Sequence, residues 1–406
     1  MPAVLPAPIN VSGGFHRSYL EIMKICLVAP VSRWRGGIHQ YSVHLANNLA
    51  KKADVQVVSY KSLFPRWFYP GKATNVASEI SLCGRIAIHE VLKYHSIISA
   101  FSAARLIKNC IRPDVVDIQW FVPQHGFVLI PLILCLKFWF RSKATICLTV
   151  HNVLPHERRL FDRLFSRLAF RFADRLLVHA EKLREEAVRH FHENPRKIAV
   201  IPHGICADGE VAYGRTEARA RLGIKEKHVL LFFGFVRPYK GLGDLIAAFK
   251  MVADRFDVGL VIAGEFFTGL AQYREALRTQ GLLERTYLFS RYIDSAEVPI
   301  FFSAADLLVQ PYRKFSGQSG VTQTAYLHSL PVLATNVGGL PELVIHEKTG
   351  IIVQPKEPKG LASAIAALLA DDDKRERYGR NGRELLDASL TWDRVTQKRL
   401  EVYARS

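Results

Sequence analysis

The sequence lacks the features that mark several protein classes. Its six cysteines are scattered without a Cys-x-x-Cys pair, which argues against a zinc ribbon or a disulfide framework and predicts reduced thiols. The longest apolar run, residues 127–140, has 14 residues and contains Pro131 and Lys137, so it is shorter than the roughly 20 residues that span a bilayer. We therefore expect a cytoplasmic protein in which this run forms a core helix, with membrane contact as the alternative.

The N-terminal segment has no continuous apolar stretch of the kind found in signal peptides. Residues 1–22 contain Pro, Gly and Ser and directly precede Met23 and the first predicted strand. We interpret them as a disordered leader or as residues upstream of the true start.

Acidic residues are too few to balance the basic ones. Lys and Arg number 55 against 37 Asp and Glu, which gives a formal net charge of +18. Such an excess attracts nucleic acid, anionic lipid or phosphorylated substrates. The sequence has no zinc-finger spacing, no RNP-like aromatic motif and no basic low-complexity arm, so we expect no nucleic-acid partner.

Short apolar runs alternate with helical patterns along the whole chain. In the first half we predict a long helical region around 85–110 and strands at 24–30, 54–60, 114–120, 145–150, 175–179 and 198–201. In the second half we predict strands at 228–233, 258–263, 286–289, 306–309, 332–335 and 351–353, the last of them hairpin-like. The alternation predicts an α/β protein with two Rossmann-like, doubly wound domains that face each other across a cleft.

The same pattern gives the expected domain boundaries. We place the first domain at 23–205, a polar connection at 206–227 and the second domain at 228–390. Residues 391–406 are expected to form a helix that can return to the first domain.

A glycine-flanked turn after the strand at 228–233 carries two cations. Arg237 and Lys240 stand three residues apart between Gly234 and Gly241, at the end of a strand where open α/β sheets bind ligands. Cationic side chains beside glycines that permit close backbone approach suit a diphosphate. An ordinary solvated loop is the alternative interpretation.

Glycines follow two other predicted strands. Gly36 and Gly37 lie between the first strand and the first helix, where backbone N–H groups can approach an anion, although a plain tight turn has the same sequence. Gly264 and Glu265 end the strand at 258–263. We treat Gly36, Gly37, Gly234 and Glu265 as candidate contacts to the same ligand.

Polar side chains gather where the strand at 145–150 ends. His151 and Asn152 follow that strand directly, and His156 and Glu157 come shortly after. Ligand-contacting groups collect at such strand ends, which favours a functional interpretation over structural histidines. No second His or Asp cluster completes a tetrahedral set, so we expect no metal site.

A basic stripe follows this loop. Arg159, Arg163, Arg167, Arg171 and Arg175 recur at four-residue spacing beside Leu and Phe residues, which predicts an amphipathic helix. Such a helix can lie on an anionic membrane surface. A core helix with a solvated basic edge is the alternative.

The second half contains a polar loop that leads into a helix near residue 320. Backbone N–H groups of Gln318, Ser319, Gly320 and Val321 would form a nest at that helix N-terminus. Such a nest suits a phosphate group.

Taken in order, these motifs resemble the retaining GT-B glycosyltransferases of family 4. The resemblance extends from about Met23 and is carried by Gly234–Gly241, the Gly264-Glu265 pair, and the segments 330–335, 338–342 and 348–350. It implies two Rossmann-like domains, a nucleoside diphosphate sugar held mainly by the second domain, and sugar transfer with retention and without a metal or other cofactor.

The resemblance also assigns roles to single residues. Arg237 and Lys240 match the pair that grips the donor diphosphate and stabilises it as it leaves. Gly36 and Gly37 match the glycine loop that approaches the donor phosphates, and His151 matches a histidine that contacts the donor sugar.

The chain departs from the family pattern at two positions. Many members carry two glutamates eight positions apart, which here are Ser316 and Thr324, and a Gln-Ser-Gly element fills the loop. We expect a peripheral or cytoplasmic transferase that acts on a glycan or lipid-linked acceptor in bacterial surface polysaccharide synthesis. A GT-B sugar-nucleotide epimerase, with Glu157 and Glu265 as the candidate acid and base, and a non-catalytic partner subunit are the alternatives.

Overall fold

Both halves of the chain are built on central strands whose residues are almost all buried. The computed structural model describes residues 22–31, 37–63, 81–153, 161–205 and 213–405. The strands are β1 Lys24–Val28, β2 Asp54–Ser62, β3 Ala87–Lys93, β4 Val115–Trp120, β5 Thr145–Val150, β6 Arg175–Val178, β7 Ile198–Val200, β8 His228–Phe233, β9 Val258–Ala263, β10 Thr286–Phe289, β11 Leu307–Gln310, β12 Val332–Thr335 and β13 Gly350–Val353.

The helices alternate with these strands. They are α1 Gly37–Leu49, α2 Ile97–Leu106, α3 Gly126–Leu134, α4 Asp162–Phe172, α5 Glu181–Phe191, α6 Arg215–Leu222, α7 Leu242–Ala253, α8 Leu270–Thr279, α9 Val298–Ala304, α10 Gly320–Leu327, α11 Leu340–Leu343, α12 Pro358–Leu369, α13 Asp372–Ser389 and α14 Trp392–Ala404. None of the described helices is both long enough and apolar enough to cross a bilayer.

The strands form two separate parallel sheets. The first has the order β3-β2-β1-β4-β5-β6-β7 and the second the order β10-β9-β8-β11-β12-β13. Alternate residues of a strand serve the two faces: Cys26 and Ile25 of β1 belong to hydrophobic clusters on opposite sides of the first sheet. The predicted α/β fold with two doubly wound domains is therefore confirmed.

The order of the strands decides where a ligand can bind. In each sheet the order in which the chain adds strands reverses beside the central strand, which is β1 in the first domain and β8 in the second. Doubly wound sheets bind ligands at this switch point, beyond the carboxyl ends of the strands. The loop after β8 is the Arg237–Lys240 turn, and the segment after β1 leads to Gly37, the first residue of α1.

Three local features differ from the sequence predictions. The helical region predicted around 85–110 begins with a strand, β3, because this segment pairs with β2 along the sheet edge. Within the predicted connection, residues 215–222 form α6, which packs on α9 of the second domain. The third is the segment 350–353, which we read as hairpin-like and which pairs in parallel with β12.

The predicted Arg helix is shorter than its sequence pattern. Helix α4 contains Arg163, Arg167 and Arg171, all of them exposed, whereas Arg175 belongs to β6 and donates to the carbonyl of Arg405. The helix ends at Phe172 because the chain must turn into the next strand. Arg159 lies outside the described residues.

The last helix returns to the first domain. Helix α14 packs on α1, and its Arg399 forms an ion pair with Asp117 of β4 in which both side chains are fully buried. Arg399 also donates to Thr149 Oγ1 at 2.8 Å and to the hydroxyl of Tyr41 at 2.7 Å. The second domain is thus connected to the first at both ends of its sequence.

Candidate active site

A cleft of about 570 Å³ lies between the two domains, beyond the carboxyl ends of both sheets. The first domain contributes a glycine, three histidines and several polar side chains, and the second contributes the cationic turn and the start of α10. Its lining includes Gly37, His151, Asn152, His179, His203, Arg237, Lys240, Gln318, Gly320, Val321 and Thr324.

The cationic turn is shaped by its glycines. After β8 the chain makes a short 3₁₀ turn, Pro238–Lys240, and Gly241 follows with φ of 71°, where a Cβ would lie 1.9 Å from the carbonyl oxygen of Pro311. At Gly234, with φ of 96°, a Cβ would lie 3.1 Å from Lys240 Nζ. The glycines therefore let the lysine fold back over the end of its own strand.

The two cations of the turn have different surroundings. Lys240 is 8% exposed, and its Nζ lies 5.3 Å from the centre of the Tyr312 ring. The guanidinium of Arg237 stacks 4.3 Å from the centre of the Phe267 ring, which fixes its plane. The stacked guanidinium and the buried ammonium form a fixed pair of cations at the carboxyl end of one strand.

The electrostatics of this turn favour an anionic ligand. Burial lowers the pKa of Lys240 below its ordinary 10.5; the nearby Tyr239 raises it and Arg237 lowers it further. No carboxylate among the described residues pairs with Lys240. An anion bound here would replace the water that the ammonium has lost and restore its pKa.

Helix α10 brings a second source of positive potential to the same place. Its first residues, Gly320 and Val321, line the cleft, and a Cβ on Gly234 would lie 3.7 Å from Val321 Cγ2. Ser319 caps the helix, since its Oγ accepts from the backbone N–H of Thr322 at 3.4 Å. The partial positive charge of the helix N-terminus thus adds to that of Lys240.

The first-domain side of the cleft carries neutral polar groups. His151 follows β5, and its Nε2 lies 3.0 Å from Gln119 Oε1. Burial, with smaller effects of His203 and Arg399, holds the pKa of His151 well below 6.5. Asn152 donates from Nδ2 to the carbonyl of Phe121 at 3.4 Å.

Side chains from the second domain reach across to the first. Gln318 Oε1 accepts from the backbone N–H of His203 at 3.0 Å, and Gln323 Nε2 donates to the carbonyl of His203 at 2.7 Å. The carboxylate of Glu342 accepts the backbone N–H groups of Glu181 at 2.7 Å and Lys182 at 2.8 Å. Glu342 therefore caps α5, a helix of the other domain whose own N-cap residue is an alanine.

Several predicted residues lie elsewhere. Glu265 follows β9 and is not part of the cleft lining, and the hydroxyl of Ser319 is used inside the protein. Of the two positions that carry glutamate in many family members, Ser316 is buried, whereas Thr324 lines the cleft and donates to the carbonyl of Gly320 at 3.0 Å. Gly36, His156 and Glu157 lie outside the described residues.

Two histidines of the cleft were not predicted from the sequence. His179 follows β6 and His203 lies just beyond β7, so both occupy the strand-end position that singled out His151. That position was the available signal. Despite these histidines, no group of three or more His, Cys, Asp or Glu side chains in the described part of the chain is arranged to hold a metal ion.

Comparisons with known proteins agree with this geometry. The family model "Glycosyltransferase Family 4" matches residues 35–208, and the model "Glycosyl transferases group 1" matches residues 214–385. The first match ends at residue 208 and the second begins at residue 214, directly before α6.

Similar proteins include a full-length relative and several transferases. The chain is 25% identical to "Spore coat protein SA" of Bacillus subtilis over 95% of this chain and 100% of that protein. It is 31% identical to a "D-inositol 3-phosphate glycosyltransferase" of Streptomyces scabiei, over 57% of this chain and 54% of that protein.

A solved structure has the same fold. HepE of Anabaena, crystallised in complex with UDP, superimposes with a TM-score of 0.73 at 17% identity, over 95% of this chain and 100% of HepE. The structural match shows the GT-B fold, and the two family models, which match residues 35–208 and 214–385, show that the chain belongs to the family 4 glycosyltransferases.

Proposed function

We propose that this transferase moves a sugar from a nucleoside diphosphate donor, with retention and without a metal or other cofactor, to a glycan or lipid-linked acceptor. The observation that carries the proposal is the convergence of Arg237, Lys240 and the start of α10 on one end of the cleft. These groups offer fixed positive potential where negative charge develops on the leaving diphosphate. They supply the neutralisation that a divalent cation provides in metal-dependent transferases.

A uridine nucleotide is the donor we propose to test first. HepE, which shares the fold, was crystallised with UDP and with UDP-glucose. Two positions that carry glutamate in many family members are Ser316 and Thr324 in this chain. This difference leaves the diphosphate grip in place, because the grip consists of Arg237, Lys240 and the start of α10. Retention and a place in surface polysaccharide synthesis are carried over from the family resemblance.

The donor assignment can be tested by binding. Calorimetry with UDP, GDP, dTDP, ADP and CDP and with the common nucleotide sugars of each should show one nucleotide that binds the wild type but does not bind Arg237→Ala. We expect Arg237→Ala to lower turnover by roughly 10²–10³-fold, as loss of one preorganised donor does elsewhere. The matched control is Arg291→Ala, which removes an exposed arginine paired with Glu297 outside the cleft.

The outcomes separate the proposal from its alternatives. Turnover of Arg237→Ala near the wild-type value would refute the site assignment. Conversion of the nucleotide sugar without any acceptor would indicate the epimerase. No binding of any nucleotide would indicate a non-catalytic partner subunit.

We also propose that the first domain rests on an anionic membrane surface. The chain directly after α3 leaves Phe138 63% and Trp139 73% exposed, and the neighbouring α4 exposes Leu164. Helix α3 and the π-helical segment that follows it, Cys135–Trp139, pack along α4. The rings of Phe127 and Phe165 lie 4.7 Å apart, and those of Phe138 and Phe172 lie 5.9 Å apart.

The charge of this surface complements anionic lipid. Arg163, Arg167 and Arg171 of α4 are all exposed beside the apolar side chains. Exposed aromatic groups and arginines on one face are typical of proteins that lie in the headgroup region. Such a position would bring the cleft to a lipid-linked acceptor on the cytoplasmic side of the membrane.

Vesicle flotation tests this surface. The wild type should float with phosphatidylglycerol-containing vesicles at low salt, and not with pure phosphatidylcholine. The double variant Phe138→Ser/Trp139→Ser should stay at the bottom, whereas Met251→Ser, which changes an exposed residue of the second domain, should float. Failure of the wild type to float at low salt would refute membrane binding.

A further inference from the structure

Three adjacent strands of the first sheet each lead into a histidine that faces the cleft. His151 follows β5, His179 follows β6 and His203 lies beyond β7. The ring of His179 lies 4.9 Å from that of His151 and 5.2 Å from that of His203, and Tyr41 packs against all three. We call these three side chains the histidine wall.

The positions of the ring protons follow from the neighbours. His179 Nδ1 lies 3.0 Å from the carbonyl oxygen of Ile201, and His203 Nδ1 lies 2.7 Å from that of Gly204. A carbonyl oxygen only accepts, so both Nδ1 atoms carry the proton. In each neutral ring Nε2 is therefore left with a lone pair.

His151 also keeps one ring nitrogen as an acceptor, but its tautomer is set by a chain of side-chain hydrogen bonds. The carboxylate of Asp117, paired with Arg399, accepts from Gln119 Nε2 at 3.1 Å, which orients the amide. Gln119 Oε1 then faces His151 Nε2, so that nitrogen donates and Nδ1 holds the lone pair.

The wall therefore offers hydrogen-bond acceptors without charge. Burial lowers the pKa of His203 to about 4 and holds the pKa values of His151 and His179 well below 6.5, so the rings are neutral at physiological pH. A neutral acceptor surface has little attraction for a diphosphate, which belongs on the opposite, cationic side. It matches the hydroxyl groups of a sugar, which are hydrogen-bond donors.

His179 is the member of the wall whose acceptor lacks a partner. The side chain is 2% exposed, and its Nε2 is buried without a hydrogen-bond partner among the described residues. A buried acceptor left unpaired destabilises a protein, and such a group calls for a ligand. A sugar attached to a diphosphate at Lys240 and α10 would extend from the second domain toward the first.

We propose that His179 Nε2 accepts a hydrogen bond from one hydroxyl group of the transferred sugar and so takes part in donor-sugar selection. The inference rests on the proposed function, because it needs a sugar nucleotide in the cleft. It adds a sugar contact to the diphosphate grip.

The premise can be checked without any ligand. In ¹H–¹⁵N spectra of imidazole-labelled protein, His179 should show the Nδ1–H tautomer and remain neutral at neutral pH. A His179 that carries its proton on Nε2 would overturn the proposal whatever the donor is.

The contact itself is tested by comparing UDP with UDP-glucose. In the wild type UDP-glucose should bind more tightly than UDP, and His179→Phe should lose roughly 3- to 10-fold in UDP-glucose affinity with UDP affinity unchanged. His125→Phe is the matched control, since His125 is equally buried and bonds the Leu63 carbonyl at 3.0 Å away from the cleft. Equal binding of UDP and UDP-glucose by a wild type that binds UDP overturns the contact, whereas absence of binding by every nucleotide of the panel refutes the diphosphate grip instead.

Deoxy analogues identify the hydroxyl group. Each analogue is UDP-glucose that lacks one hydroxyl group. For one analogue, the wild type should bind it more weakly than it binds UDP-glucose, whereas His179→Phe should bind the analogue and UDP-glucose equally well. Equal losses in both proteins for every analogue would overturn the proposal. If His179→Phe does not fold, His179→Gln serves, because its amide oxygen can accept near the Nε2 position and should retain the discrimination; loss of it with the fold intact would count against the contact.

Discussion

Replacing Lys240 by methionine should separate folding from ligand binding, because the two effects have opposite signs. The ammonium is buried and no carboxylate of the described chain pairs with it. Its lowered pKa means that the protonated lysine opposes folding in the absence of ligand. Methionine has a similar unbranched shape and no charge, so we expect the ligand-free variant to be at least as stable as the wild type.

The size of each effect follows from general magnitudes. Replacing a poorly compensated buried charge by a fitting apolar group stabilises by on the order of 1 kcal/mol, or about 2–4 °C in melting temperature for a domain of this size. Loss of one cation at the leaving diphosphate should lower turnover by roughly 10²–10³-fold. The unfolded lysine binds its proton more tightly than the native one, so wild-type stability rises as pH increases toward 10.5 and the advantage of the variant shrinks.

Differential scanning fluorimetry with and without UDP measures both effects. The variant should melt at or above the wild-type temperature alone and lose the shift that UDP gives the wild type. Lys359→Met is the control, since Lys359 is an exposed lysine of the same domain, and it should change neither quantity. A variant that melts lower than the wild type and still responds to UDP would refute the reasoning.

Three further predictions concern stability. Glu342→Ala should destabilise by about 1 kcal/mol because it uncaps a helix, and it should broaden the small-angle scattering envelope because that helix belongs to the other domain. Asp371→Ala, which uncaps α13 within one domain, should destabilise without broadening, and equal envelopes would contradict the contact of Glu342 between the domains. Arg399→Met should destabilise by about 3–5 kcal/mol in urea unfolding and Arg399→Met/Asp117→Asn by clearly less; equal losses would show that the pair is not coupled. Stability should fall as the pH is lowered from 6.5 to about 4, because a histidine such as His203 stays neutral in the folded protein while the unfolded chain takes up protons. The loss is at most about 1.4 kcal/mol per pH unit for each such histidine, and a free energy of urea unfolding that does not change with pH would contradict this.

The second domain was largely predictable because its strands are continuous apolar runs with clear ends. β8 and β9, for example, have the predicted bounds. β3 was not predictable in the same way, since this edge strand mixes exposed and half-buried residues and is held by pairing with β2 rather than by its own pattern.

The site divides in the same manner. Arg237, Lys240 and His151 could be found because each stands at the end of an obvious strand. His179 also stands at a strand end, but its proposed role depends on a carbonyl 22 residues away that fixes its tautomer, and the sequence does not show that contact. Gln318 reads as a ligand contact in sequence, yet its amide oxygen receives a backbone N–H from the other domain.

The buried pair of Asp117 and Arg399 also sets an order of events during synthesis. The two residues are 282 positions apart, so β4 leaves the ribosome long before the arginine that neutralises its carboxylate exists. Until then the first sheet would have to bury an unpaired charge, which opposes its closure. The second domain, whose elements are contiguous in sequence, can complete its core without waiting. We therefore expect the half of the protein that is made first to be the half that finishes folding last.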